Sequence, residues 1–251
     1  LGKQLLSRGA KGSRRVLLTE EGMILRKRAE EILALVQRTE EEIMHDDEAV
    51  VGDVYIGAGE TDIVRLLARA AREIQKQHPD IRYHISSGNA EHVLEQLDKG
   101  LIDFGLLFGR TDTQKYEALP LPGKDTWGVL MRRDVPLAEK ASVAPGDLLE
   151  KPLILTDQPD DAQLLTRWLS PAGGAPHVVA TYNLVYNASL LVDEGLGYAL
   201  CLDRLINTDG SRLCFRPLSP PLESAASLVW KKYPAFSKAA RTFLSCLRGL
   251  L

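Results

Sequence analysis

Hydrophobic positions change period twice along the 251 residues. Between residues 20 and 43, Leu25, Ala29, Ile32, Val36, Thr39 and Ile43 recur at alternating four- and three-residue steps, with Arg26, Lys27, Arg28, Glu30, Glu31 and Arg38 on the other faces. That spacing predicts a helix with a narrow a/d seam, which wants a partner helix rather than a broad core to lie on. Three heptads are the lower limit for a seam, and Thr39 is its weak position. Thr19 before Glu20 and Glu21 predicts the start, a hydroxyl N-cap followed by acids that suit the helix dipole. The pattern breaks at "HDDEAVVGDV", where acids accumulate and Gly52 follows. Ahead of the helix, "LLSRGAKGSRRVLL" sets two short apolar pieces around a Gly/Ser/Arg turn, a hairpin signal.

From Val51 strands and helices alternate. "GDVYIGAG", "IRYHISS" and "LIDFGLLF" read as strands, separated by helices over "ETDIVRLLARAAREIQKQHP" and "NAEHVLEQLDKG", and "YEALPL" follows as a fourth strand. Parallel strands need crossovers, so this order predicts a parallel sheet flanked by helices. After Pro122 and Gly123 a strand in "DTWGVLMRRD" opens a second round: a short helix at "APGDLLE", strands "KPLILT", "HVVATY" and "LGYALCL", and helices "DDAQLLTRWLS" and "NLVYNASLLVDEG". Beyond Pro217, Pro220 and Pro221 come one strand, "ASLVWKKY", and a last helix, with no sheet of their own. Two proline-marked crossings predict two lobes, with the tail returning to the first. The expected fold is thus α/β and two-lobed, preceded by a long helix and a hairpin. Its expected divisions are 1–19, 20–50, a first lobe over 51–124, a second over 125–216, and the return over 217–251.

Charge sharpens this division. Lys3, Arg8, Lys11, Arg14 and Arg15 fall in the first nineteen residues, which hold no acid, while the chain as a whole carries -3, leaving -8 on the rest. Such asymmetry points a basic element toward a polyanion that repels the remainder. With 45% hydrophobic and 26% charged residues the chain can bury one large core or two modest ones. No apolar run approaches the ~18 residues of a membrane span and no signal-peptide core opens the chain, which predicts a cytoplasmic protein without a membrane partner. Cys201, Cys214 and Cys246 are odd in number and lack C-x-x-C spacing, so buried reduced thiols are expected rather than a disulfide or metal site.

In open α/β sheets ligands lie beyond the carboxyl ends of the strands. The loops to expect at a cleft are Gly59, Glu60 and Thr61 after the first strand, Ser87 and Asn89 after the second, and Thr156, Asp157 and Gln158 with Asn183 in the second lobe. Thr61 and Asn89 stand at helix starts, where structural capping is an equally good account. Glu60 with Asp157, Asp160 and Asp161 makes this cleft acidic, which favours a neutral or amine-bearing ligand. Exposed acids at helix starts also need no ligand to explain them. Enzymatic chemistry has no footing. Asp62 occupies the third glycine position of a would-be G-x-G-x-x-G, no G-x-x-x-x-G-K-[ST] or G-x-S-x-G occurs, and His45, His78, His84, His92 and His177 lack metal-ligand spacing. Asp98 and Asp103 bracket a strand start, where turns favour acids. No cofactor, metal or catalytic residue is expected.

Hairpin, long pairing helix and two-lobed sensor, in that order, resemble the LysR-type transcriptional regulators. The residues that carry the likeness are "LLSRGAKGSRRVLLTEEG", the stretch from "VYIGAGETDIVRLLARAAREIQ" through "LIDFGLL", "LPLPGKDTWGVLMRRDVPLA" and "LVDEGLGYALCLDRL". Each motif is weak alone; their order and spacing are specific. The resemblance implies a periplasmic-binding-protein-like effector domain, and a winged helix-turn-helix of which residues 1–19 are the wing and roughly 50 to 60 preceding residues are absent. It implies promoter DNA as partner, with Arg8, Lys11, Arg14 and Arg15 on the phosphate backbone. Pairing through Leu25, Ala29, Ile32, Val36 and Ile43 would give a dimer or tetramer. A small effector of unknown identity would bind at Gly59, Glu60, Thr61, Ser87, Asn89, Thr156, Asp157 and Gln158. The competing expectation is a solute-binding module that delivers a small molecule, for which a pairing helix has no use.

Overall fold

The computed structural model describes residues 2–8, 15–44, 50–109, 112–233 and 236–251, side chains at 38, 41–44 and 172 excepted. Strands β1 (Leu6–Arg8) and β2 (Val16–Leu18) form an antiparallel hairpin with Leu6 opposite Leu18. It closes onto α1 (Glu20–Met44) through Thr19, whose hydroxyl donates to the Gln4 carbonyl at 2.7 Å and accepts the Gly22 N–H at 3.0 Å. Thr19 therefore caps the helix and ties it to the hairpin at once. Gly22 is what allows the approach, because a Cβ there would stand 2.0 Å from the carbonyl oxygen of Leu5.

The first lobe is built on β3 (Gly52–Ala58), β4 (Ile81–Ser87), β5 (Phe104–Phe108) and β6 (Tyr116–Pro120), with helices α2 (Val64–Gln75) and α3 (Ala90–Asp98) between the parallel strands. The second lobe starts with β7 (Asp125–Arg132). It continues through β8 (Leu153–Thr156), α4 (Pro159–Leu169), β9 (Val178–Tyr182), α5 (Val185–Asp193), β10 (Tyr198–Leu202), β11 (Leu213–Pro217) and the two-residue β12 (Glu223–Ser224). The stretch "PGDL" makes a 3-10 turn rather than an α-helix. Strand β13 (Ala226–Lys231) and helix α6 (Lys238–Gly249) end the chain.

Five strands order as β4-β3-β5-β13-β6, so β13 enters antiparallel between β5 and β6. Alternation along β3 buries Val54, Ile56 and Ala58 against α2 and α6, whose Leu67, Ala70, Phe243 and Leu247 complete one core. On the opposite face Val93 and Leu97 of α3 pack on the sheet. The second sheet orders as β11-β7-β10-β8-β9, with β12 also on β7. One face buries Trp127, Leu155, Leu165 and Trp168, and the other Ile154, Ala188, Val192 and Cys201. Because Leu218 belongs to this core and Glu223 pairs with Thr126, the chain leaves the second lobe at residue 225 and not at 217. Prolines 217, 220 and 221 mark a connection within the lobe, ahead of the crossing itself. The cysteines are unpaired, Cys201 and Cys214 buried and Cys246 half-buried. Among the described residues no helix is long and apolar enough to cross a membrane.

Candidate functional site

The carboxyl ends of the parallel strands of both sheets face one another across a cavity of about 770 Å³, a size suited to a small organic molecule. Gly59, Glu60, Ser87, Asn89 and His92 line it from the first lobe. Thr156, Asp157, Gln158, Asp161 and Tyr182 line it from the second. Asn183 is on the wall as well. Leu106, Phe108, Trp127, Leu202 and Leu205 supply an apolar floor where the lobes meet.

Local sequence explains the polar rim. Asn89 is extended and its side-chain oxygen accepts the His92 N–H at 2.8 Å, so it caps α3 while lining the cavity. Thr156, 5% exposed, accepts the Gln158 N–H at 3.1 Å and shapes the turn into α4. Asp160 and Asp161 occupy the first turn of that helix, where carboxylates suit the dipole. Burial nevertheless pushes the Asp161 carboxyl up to about 6, the neighbouring Asp160 charge adding to the effect. Tyr182 donates its hydroxyl to the Leu200 carbonyl at 2.7 Å, and burial raises that phenol well above its ordinary range.

Three consecutive residues after β3 each hold a partner in the second lobe. Glu60 Oε2 accepts the main-chain N–H of Val185, the first residue of α5, at 2.6 Å. Thr61 donates its hydroxyl to the carboxylate of buried Asp125 and accepts the Ile63 N–H at 3.0 Å. Asp62 Oδ2 lies 3.6 Å from Arg204 Nη1. This corrects the expectation for Thr61, which is 7% exposed and absent from the cavity wall. Its hydroxyl is spent on the turn before α2 and on Asp125, whose carboxyl burial raises above the ordinary range against the lowering pull of that same hydrogen bond. The helix accordingly starts at Val64, not at residue 60.

The LysR substrate binding domain family matches residues 48–251. The chain belongs to the LysR family of transcriptional regulators. The uncharacterized HTH-type transcriptional regulator YvbU of Bacillus subtilis is 23% identical over 239 residues, covering 94% of this chain and 80% of YvbU. The dual regulator OxyR of Escherichia coli is 28% identical over 158 residues, covering 62% of this chain and 50% of OxyR. Among solved structures, the effector binding domain of QuiR in complex with shikimate superposes with a TM-score of 0.69 at 17% identity, covering 79% of this chain and 96% of that one. That likeness establishes the two-lobed fold.

In this LysR regulator the long helix keeps an apolar line open. Leu25, Ile32 and Val36 are 40%, 59% and 48% exposed, Ala29 is half-buried between them, and Met23, Ile24 and Leu33 widen the strip. The side chain of Ile43 lies outside the described residues. Another face of the helix meets its own first lobe, where Glu31 pairs with Lys99. Arg8 and Arg15 are exposed on the hairpin; Lys11 and Arg14 lie outside the described residues.

Proposed function

We propose that the regulator senses a small effector held between its lobes and passes the resulting change in lobe arrangement through α1 to the DNA-binding heads of a dimer or tetramer in the cytoplasm. The observation that carries this is the cavity itself, built from strand ends of both sheets and bridged by the 60–62 loop. A molecule bound there contacts both lobes, so its affinity depends on their tilt, the condition for shifting a conformational equilibrium. The QuiR effector binding domain, of the same fold, was solved with shikimate. In this reading Glu60, Ser87, Asn89, Thr156, Asp157 and Gln158 contact the effector beside Gly59. Residues 20–50 serve as the pairing stalk, and Arg8, Lys11, Arg14 and Arg15 lie on promoter phosphates.

Two observations favour this over other readings. A solute-delivery module has no use for the open apolar line of α1 or for its anchoring at Lys99. Thiol oxidation is not supported either, since no cysteine lines the cavity and burial pushes the Cys201 thiol up to about 12, where the reactive thiolate is scarce.

Thermal-shift screening of small metabolites tests the proposal. A cavity ligand raises Tm by mass action, and Asn89→Ala or Gln158→Ala weakens it. Hits that are indifferent to both substitutions, or that bind without altering DNA affinity when the full regulator is assayed, overturn it.

A further inference from the structure

Two independent features of the cavity bear on the chemistry of its occupant. The first concerns the place an anion would take. A helix N-terminus aimed into a cleft is a ready anion site, because its free N–H groups and dipole favour negative charge. Here α5 is such a helix, and Leu184 at its N-cap provides no side-chain bond. The N–H of Val185 is already engaged by the Glu60 carboxylate at 2.6 Å, reaching across from the other lobe. The protein has filled that position with its own anion.

The second feature is the charge of the remaining wall. Besides Glu60 it carries Glu91, Asp157, Asp160 and Asp161, whereas among the described residues neither lysine nor arginine lines the cavity and His92 is the one basic side chain on it. Asp157 is bonded to the Gln158 amide at 3.1 Å. Asp161 is half-buried on the wall, and among the described residues its carboxyl has no hydrogen-bond donor. A half-buried carboxylate without a donor is only partly compensated by water, and a cation beside it makes up the difference. Below these acids lie Phe108, Trp127 and Leu205, which can cover an apolar body.

We infer that the effector of this regulator is an organic cation, an amine or guanidinium on an apolar body, with Asp161 as its counter-ion and the Phe108–Trp127 floor beneath it. This deepens the effector reading above and rests on it. An anionic effector would find the α5 terminus taken and carboxylates on both sides, so the wall discriminates by repulsion as well as by attraction.

The test uses three probes of matched shape, 2-phenylethylammonium, 2-phenylethanol and 3-phenylpropionate, titrated into the 251-residue chain at pH 7.5. Binding is read by calorimetry and by tryptophan fluorescence. The amine is expected to bind with a Kd at least about tenfold below that of the acid, and Asp161→Asn to weaken the amine while leaving the alcohol unchanged. Asp161→Asn replaces a costly carboxyl by an amide of the same shape, so the variant is expected to fold, and its melting curve verifies that. Equal or tighter binding of the acid, or an amine affinity indifferent to Asp161→Asn, overturns the inference. Binding of the acid or the alcohol without the amine does so while leaving the effector pocket standing. Silence of all three at millimolar concentration counts against the pocket reading as well.

Discussion

Lys99 at the end of α3 places its ammonium 2.8 Å from Glu31 in the middle of α1, and 2.6 Å from Glu95 one turn back on its own helix. Glu31 also accepts from Arg28 at 2.7 Å. The stalk is thereby fixed to the first lobe at a defined point along its length, near the turn at Gly100, where an added Cβ would come within 3.9 Å of the Leu35 side chain.

The hydrogen bonds from Lys99 and Arg28 hold the Glu31 carboxyl down at about 2. Since that lies below the ordinary 4.5, the tie is fully present above pH ~4.5 and is lost as pH falls through about 2. Lys99→Met is expected to bring the Glu31 midpoint back toward 4.5 in an NMR titration and to speed hydrogen exchange along the middle of α1. An unmoved midpoint would show that the contact does not persist in solution.

Asp161 titrates in the opposite sense. Its folded-state value of about 6 exceeds the ordinary 3.8, so the folded chain holds this proton more tightly and stability declines as pH rises between those two values. Asp161→Asn is therefore expected to raise Tm by about 2–4 °C at pH 7.5, with the gain fading as the pH approaches 4. Asp157, Asp160, Glu60, Glu91 and His92 share the cavity, so the comparison is made variant against wild type at each pH. A gain independent of pH would assign the effect to something other than ionisation.

Thr61→Val keeps the shape of the side chain but strips Asp125 of its donor and the Ile63 N–H of its acceptor. An unsatisfied buried group costs ~1–3 kcal/mol, and a correspondingly lower urea midpoint is expected. In a double-mutant cycle with Asp125→Asn the two losses should not add. Strict additivity would mean the pair is not coupled.

Ile32→Glu with Val36→Glu places charges in the open line of α1. Sedimentation at micromolar concentration should show a dimer, or a higher assembly, falling to monomer in the double variant with Tm of the lobes nearly unchanged. A wild-type chain already monomeric there would remove the stalk from the pairing role.

The features legible in the sequence are those set within a few residues. Thr19 and Asn89 show as caps because an N-cap binds two or three residues ahead. Gly59, Glu60, Ser87, Thr156 and Gln158 could be placed at strand ends by alternation alone, and the structure brings them to one wall. What escaped was fixed over distance. Thr61 reads as a helix start open to a ligand, yet its partner Asp125 is 64 residues away. Val185 is 125 residues beyond Glu60. Trp127 and Phe108 carry no signal separating a cavity floor from an ordinary core, since both sit on apolar strands. Proline density pointed to a crossing at 217, whereas the pairing of Glu223 and Ser224 with β7 decides where the chain departs.

The position of β13 has a bearing on biosynthesis. During translation β3, β4 and β5 are made early, but among the described residues β6 has no hydrogen-bonding neighbour in its sheet other than β13, which emerges some hundred residues afterwards. The lobe whose strands leave the ribosome first is thus the last to be sealed, and until residues 226–231 arrive the nascent chain carries an unzipped sheet margin, a site where mispairing and recruitment of chaperones concentrate.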